Sequence, residues 1–296
     1  MFRLLKRQRR RLTLYALFVA FPIAIAVISM MLGSQIGVGG MQWRLDLIAG
    51  LAAWAMTMGL PIAILYFVPD TRFLLDLLAA TFTITVWPQA AASLISQEAA
   101  FATSAIACVL IIACVRFDLI DKLMPRRDFF GQATYRTQQS PYAIWAEHVP
   151  DPGLLDRHWC PALQSTTFDR KNANLRTSTY HFDFLQYRQR QMMTQFDMHE
   201  AFSYDFETID DDNQTIHRGT FSLQIIEHGR YRDVRIKESQ QKLRFTDWLV
   251  NWMDDSVGDQ ADHLMARAQN MEDRSVTGDL MRSAAVAHPS PNPAAA

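Results

Sequence analysis

The chain of 296 residues carries 29 basic and 30 acidic side chains, for a formal net charge of −1, and 49% of it is hydrophobic. Three cysteines exclude a disulfide framework. The near-neutral average hides two unlike halves. Residues 12–115 hold only Arg44, Asp46, Asp70, Arg72, Asp76 and Glu98, whereas the chain beyond 115 carries 21 positive and 26 negative side chains.

A basic head at 1–11, "MFRLLKRQRRR", comes first. It suits anionic lipid headgroups, and no nucleic-acid partner is predicted. Four apolar stretches follow at 12–32, 45–68, 73–95 and 99–119. Each reaches the roughly 20 residues that span a bilayer, where only a helix satisfies the backbone. The first is too long for a secretory signal core and lacks a small-residue cleavage site, so it is read as a retained anchor. Basic residues gather in the head and in "VRFDLIDKLMPRR", which predicts a bacterial inner-membrane protein with both termini cytoplasmic. Asp46 sits just inside the second span, and Arg72 and Asp76 stand at i,i+4 spacing where a pair can form. Pro22, Pro61 and Pro88 interrupt three spans. No paired broken helices suggest a transporter, and the 12–120 region reads as an anchor.

After a connector at 121–129, period-two alternation predicts strands. The segments are 130–138, 163–168, 177–185, 191–198, 202–209, 214–226 and 231–239. Tyr180, Phe182 and Phe184 share one face of the third, opposite His181 and Asp183. Met192, Thr194, Phe196 and Met198 share a face of the fourth. Phe221, Leu223 and Ile225 alternate in the sixth, and Val234 and Ile236 in the seventh, with charges on the other side. One apolar face against one solvated face predicts an antiparallel sheet. From Thr246, an expected N-cap, an apolar stripe with Trp248 and Trp252 predicts a long helix to about 272, with Gly258 as its bend. Between the first two strands, "SPYAIWAEHV" and "LLDRHWCPAL" predict two short helices, the first capped by Ser140 with Pro141 in its first turn. They are separated by the break "PDPG", and Trp145 and Trp159 are their packing anchors. The tail 276–296 reads as disordered.

This order, with Ser140-Pro141, Trp145, Asp151-Pro152 and Trp159-Cys160-Pro161 after the first strand, resembles the START-like helix-grip superfamily of polyketide cyclase-like and lipid-transfer domains. The resemblance covers about 130–273. It implies a curved antiparallel sheet of about seven strands wrapped on a long C-terminal helix. The expected fold class is therefore four transmembrane helices plus an α+β domain at 130–275. It further implies a hydrophobic cavity that takes an apolar or lipid-like ligand. The inward candidates for contacting that ligand are Tyr180, Phe182, Phe184, Tyr204, Phe206, Phe221, Leu223, Trp248 and Trp252.

Candidates for chemistry are weaker. Asp156, His158 and Cys160 lie two apart and project differently, so no nucleophile–base pair is expected. His181 and Asp183 share a strand face, with His199, Glu200 or His217 as an available third ligand; two solvated side chains explain them better than a metal. Cys108 and Cys114 fall in the fourth span. No phosphate loop, dinucleotide fingerprint or kinase signature is present. The acidic turn 210–212 and the segment 254–262 lack calcium-loop spacing. The expectation is a non-enzymatic binding protein without catalytic residues, metal or cofactor, whose partners are membrane lipids and a hydrophobic small ligand. The alternatives are an assembly subunit docking on another membrane protein complex and, more weakly, an enzyme on a membrane-derived substrate with His181 and Asp183 as acid and base.

Overall fold

The computed structural model describes residues 2–33, 42–67, 75–83, 118–182, 185–209 and 215–287, with isolated positions between 96 and 106. The chain divides into two units, Met1–Met124 and Pro125–Ala296.

The first unit opens with α1 (Phe2–Arg7) and α2 (Arg9–Tyr15), passes through a π turn at Ala16–Ala20, and continues as α3 (Phe21–Gly33); α4 spans Gln42–Phe67. The widened turn immediately precedes Pro22. In a regular α-helix the proline ring would strike the carbonyl of Phe18, and the wider turn relieves that clash. Two segments, Arg9–Ile28 and Asp46–Leu65, are long and apolar enough to cross a membrane. Among the described residues there are thus two such helices rather than the four expected. The expected spans 73–95 and 99–119 lie largely outside the described residues, as do Cys108 and Cys114.

Arg72, the expected partner of Asp76, lies outside the described residues. Asp76 accepts from Arg11 Nε at 2.8 Å and from its terminal nitrogen at 2.9 Å. Arg11 is only 4% exposed. A forked guanidinium–carboxylate pair with one partner buried is stronger than an exposed ion pair.

The first unit ends with α5 (Leu119–Leu123) and the second begins with β1 (Arg127–Thr137), so little of the expected connector is irregular. After β1 come α6 (Pro141–His148), a 3₁₀ turn at Leu155–Arg157, and β2 (Leu163–Phe168). A meander follows: β3 (Leu175–Phe182), β4 (Leu185–Asp197), β5 (Ala201–Ile209), β6 (Thr215–His228) and β7 (Tyr231–Leu243). Three helices close the domain, α7 (Phe245–Asp254), α8 (Ser256–Ala268) and α9 (Val276–Ala287). The seven strands form one antiparallel sheet in the order β1-β7-β6-β5-β4-β3-β2. This is an α+β helix-grip domain, and the expected order of strand, short helices, six strands and helix stands.

Local chemistry accounts for the entry to α6. The Ser140 hydroxyl accepts from the Ala143 amide at 3.2 Å, and Pro141 occupies the first turn, where its missing N–H costs nothing. The core then assembles beneath α8, whose Val257, Ala261 and Leu264 are at most 2% exposed. Buried with them are Ile236, Val234 and Leu223 from the sheet. Each such aliphatic side chain contributes about 1.5–3 kcal/mol. Trp145 anchors α6 against Phe202, ring centroids 5.4 Å apart, and against Phe196 at 5.2 Å.

Several boundaries differ from the sequence reading. The strand expected at 177–185 ends at Phe182, which pairs with Leu185 across the next turn. The basic segment 186–191 is therefore inside β4 rather than between strands. In β4 the inward face carries Gln191 and Met193, both buried, while Met192 and Met198 are exposed. A register shift between Met193 and Gln195 breaks the single alternation expected across 191–198.

The long helix divides at Asp255, whose φ of 50° is left-handed, and not at Gly258, which lies inside α8. Arg244 rather than Thr246 precedes the first turn of α7 and pairs with Asp247 at 2.9 Å. The expected disordered tail is helical over Val276–Ala287 because Met281 and Ala284 bury against Cys160, Ala162, Leu163 and Tyr180. Residues 288–296, like the acidic turn 210–212, lie outside the described residues.

Candidate functional site

The antiparallel register sets inward-facing side chains in transverse rows across the concave side of the sheet. One row runs Ala133, Ile236, Leu223 and Phe202. Ala133 is half-buried, but the other three are sealed: Ile236 is fully buried, and Leu223 and Phe202 are each 1% exposed. The next row runs Gly131, Glu238, Phe221, Tyr204 and Met193. Here the packing changes, because Tyr204 and Glu238 keep accessible surface while Phe221 and Met193 are buried. Further toward the end of the sheet where β1 begins, Gln240 of β7, Tyr187 of β4 and Phe182 of β3 are also only half-buried, as are Trp248 and Trp252 of α7.

Accessible surface at these positions does not mean bulk water. Burial raises the pKa of the Glu238 carboxyl, and burial is likewise the main reason the Tyr204 and Tyr187 hydroxyls lie above their usual value, with the Glu238 charge adding to both. The inward side chains at one end of the grip are buried, whereas several at the other end keep accessible surface.

The structure places the expected contact residues in three groups. Tyr204, Phe206 and Phe221 form an aromatic ladder, with Tyr204 stacked on Phe221 at 5.2 Å and edge-on to Phe206 at 6.2 Å. Trp248 and Trp252 stack at 6.1 Å along α7, and the Arg127 guanidinium lies 5.1 Å over the Trp248 ring. Tyr180 and Phe182 stack with Tyr187 at 5.1 and 6.1 Å, in the smaller cluster closed by α9. Leu223 belongs to the sealed row and is core. Phe184 lies outside the described residues.

A polar chain crosses the inner face beside these rings. Thr166 and Ser178 hydroxyls meet at 3.1 Å, Ser178 donates to Gln191 Oε1 at 3.4 Å, and Gln191 donates to Gln189 Oε1 at 2.7 Å. Ser178 and Gln191 are fully buried, so these bonds satisfy groups that would otherwise be costly inside.

Glu238 is the residue the sequence reading missed. The charges of β7 were all assigned to the solvated face, yet period two carries on from Val234 and Ile236 to Glu238 and Gln240. Extending the alternation two more steps identifies it. Gln240 donates to the Glu238 carboxylate along the same strand.

The reactive candidates do not converge. Asp156 is exposed, while His158 and Cys160 are buried. The Cys160 amide donates to His158 Nδ1 at 3.2 Å, which engages the imidazole away from the sulfur. Burial pushes the Cys160 thiol up to about 11 and the His158 imidazole down to about 3, so both are neutral at pH 7. His181 contacts Gln164 at 3.2 Å on the outer side, and Asp183 lies outside the described residues. His217 faces inward instead, 3.2 Å from the Thr208 hydroxyl, and His199 packs its ring on Tyr142 and Trp145. Among the described residues no three His, Cys, Asp or Glu side chains come together to hold a metal.

No family model matches the chain, and no curated protein does. Solved structures do match. Protein Mll3558 from Rhizobium loti is 10% identical, with a TM-score of 0.38, over 48% of this chain and 99% of its own. Protein XoxI from Bacillus cereus is 16% identical, with a TM-score of 0.35, over 48% of this chain and 94% of its own. Major latex-like protein 151 from Panax ginseng is 12% identical, with a TM-score of 0.31, over 44% of this chain and 95% of its own. At these identities the likeness concerns fold alone.

Proposed function

We propose that the chain is a non-enzymatic binding protein of the bacterial inner membrane, anchored by its apolar N-terminal helices with both termini cytoplasmic. Its helix-grip domain takes an apolar, lipid-like ligand between the more accessible end of the sheet and α7. The observation that carries this reading is the contrast along one concave face. Phe202, Leu223 and Ile236 are sealed, while Tyr204, Glu238, Trp248 and Trp252 keep accessible surface. Apolar walls with few polar groups are the usual lining of a small-ligand pocket.

The test is to purify the full chain from membranes in detergent and analyse denatured extracts by mass spectrometry. A co-purifying lipid-like molecule at near-stoichiometric amount is expected, and its loss on replacing Tyr204 and Trp252 with charged residues. A chain that carries no such molecule and instead co-purifies with a stoichiometric membrane protein would favour an assembly subunit.

A further inference from the structure

Glu238 gives the pocket a sign. It stands on the inner face of β7, with Gly131 of β1 and Phe221 of β6 as its register neighbours. Beyond Phe221 in the same row is Tyr204, its ring stacked on Phe221. On the other side Gly131 has no side chain, and Val257 of α8 fills the space above it. The groups that share charge with the carboxyl are the Tyr204 and Tyr187 hydroxyls, on β5 and β4; Gln240 is its hydrogen-bond donor. Among the described residues no lysine, arginine or histidine forms an ion pair with it. Lys237 and Arg235, its neighbours along the strand, are exposed on the opposite face.

A desolvated carboxylate without a counter-charge is unfavourable, and a partner that brings the charge recovers much of that cost. The rings around it add to the preference, since aromatic faces attract cations and repel anions. An acyl chain ending in a carboxylate would instead place two like charges in one apolar space.

Resting on the reading of this domain as an apolar-ligand binder, we infer that the ligand is an apolar molecule bearing a single amine or quaternary ammonium group, which pairs with Glu238 and lies against the Tyr204–Phe221 rings. Fatty acids are selected against by the same carboxyl. Glu238 is thereby the specificity-determining residue of the pocket.

The test uses the full chain in phosphatidylcholine nanodiscs, titrated calorimetrically with hexylamine, hexanol and hexanoate, with empty discs as reference. Hexylamine is expected to bind at least about tenfold more tightly than hexanol, with hexanoate weakest. Glu238→Gln should bring hexylamine to the level of hexanol and leave hexanol unchanged. With the unmodified chain, hexylamine affinity should rise with pH as the carboxyl, raised by burial, ionises, while hexanol stays flat; Tyr187 and Tyr204 remain protonated throughout. Equal hexylamine binding by the unmodified chain and Glu238→Gln, or tightest binding of hexanoate, overturns the inference while hexanol binding keeps the pocket. Failure of all three probes overturns the pocket and the inference with it.

Discussion

His263 Nδ1 and Asp273 Oδ2 stand 2.7 Å apart and fasten the segment that leads into α9 onto α8. The second oxygen of Asp273 accepts from the Ser275 amide at 3.0 Å and its hydroxyl at 2.6 Å, and the Ser275 hydroxyl accepts from the Gly278 amide at 2.9 Å. Nearby, Asp259 accepts from the Val276 amide at 3.2 Å and from the Thr277 amide at 2.7 Å and hydroxyl at 2.8 Å, so Asp259 and the Ser275 hydroxyl held by Asp273 satisfy the orphan donors that begin α9. Asp273→Ala should loosen α9 by about 1–3 kcal/mol. Hydrogen exchange of the 276–287 amides reads this directly: faster exchange confined to that helix is expected, and unchanged protection would show the latch is idle.

The two carboxylates predict opposite pH dependences. For Asp273 burial alone would raise the pKa, but hydrogen bonds from His263 and Ser275 outweigh it and hold the carboxyl at about 2. Its folded value lies below its unfolded value, so its contribution is present above about pH 4 and is lost as pH falls toward 2. For Asp259 burial prevails over the bonds from Thr277 and Val276 and raises the carboxyl to about 6. Its proton is held more tightly folded than unfolded, so stability falls between about pH 4 and 6 and is level above. Each effect is at most about 2–3 kcal/mol. Chemical unfolding from pH 3 to 8 should show the decline from 4 to 6, and Asp259→Asn should abolish that decline alone.

Cys160 should be inert in the folded protein. With its thiol near 11 and 3% exposed, the reactive thiolate is scarce at pH 8 and shielded. Labelling with iodoacetamide should proceed at Cys160 only after denaturant is added, and Cys160→Ser should leave ligand retention intact. Rapid native-state alkylation at this residue would contradict the packing described.

Two glycines mark close approaches that a methyl group would violate. A Cβ at Gly131 would come 2.5 Å from Val257 Cγ2, against the helix that the sheet grips. A Cβ at Gly219 would meet the Ser239 carbonyl of the adjacent strand and the Phe206 ring. Gly131→Ala should cost about 1–3 kcal/mol, because the Val257 side chain has to yield. Gly219→Ala should cost more, because its obstacle is backbone. Thermal unfolding of the two variants ranks them, and the reverse order would place the tight contact at the helix.

Much of this organisation was legible in local sequence. Period-two alternation located all seven strands, since a half-buried strand must alternate, and Ser140-Pro141 located the start of α6 because capping is a local hydrogen bond. Other features were not legible, for equally physical reasons. The Met193–Gln195 shift reverses the face of β4 without altering composition. The break at Asp255 is a single left-handed residue with no glycine to announce it. The helix at 276–287 is amphipathic too weakly to stand out until Cys160, Leu163 and Tyr180 are in place to receive Met281 and Ala284.

The same division holds for the functional reading. The sequence by itself determined the partition into an apolar half and a charged half, the antiparallel meander, and the aromatic side chains that share a strand face. Those follow from periodicity and composition, which each segment carries alone. Only the tertiary structure decided which inward residues are fully buried and which keep accessible surface: Leu223 lies under α8 and is sealed, whereas Tyr204 lies two residues farther along β5 than sealed Phe202 and is not. It also decided that Asp76 meets Arg11 and that Glu238 points inward. An alternating pattern assigns faces but not depth, and depth depends on where a helix, distant in sequence, comes to rest.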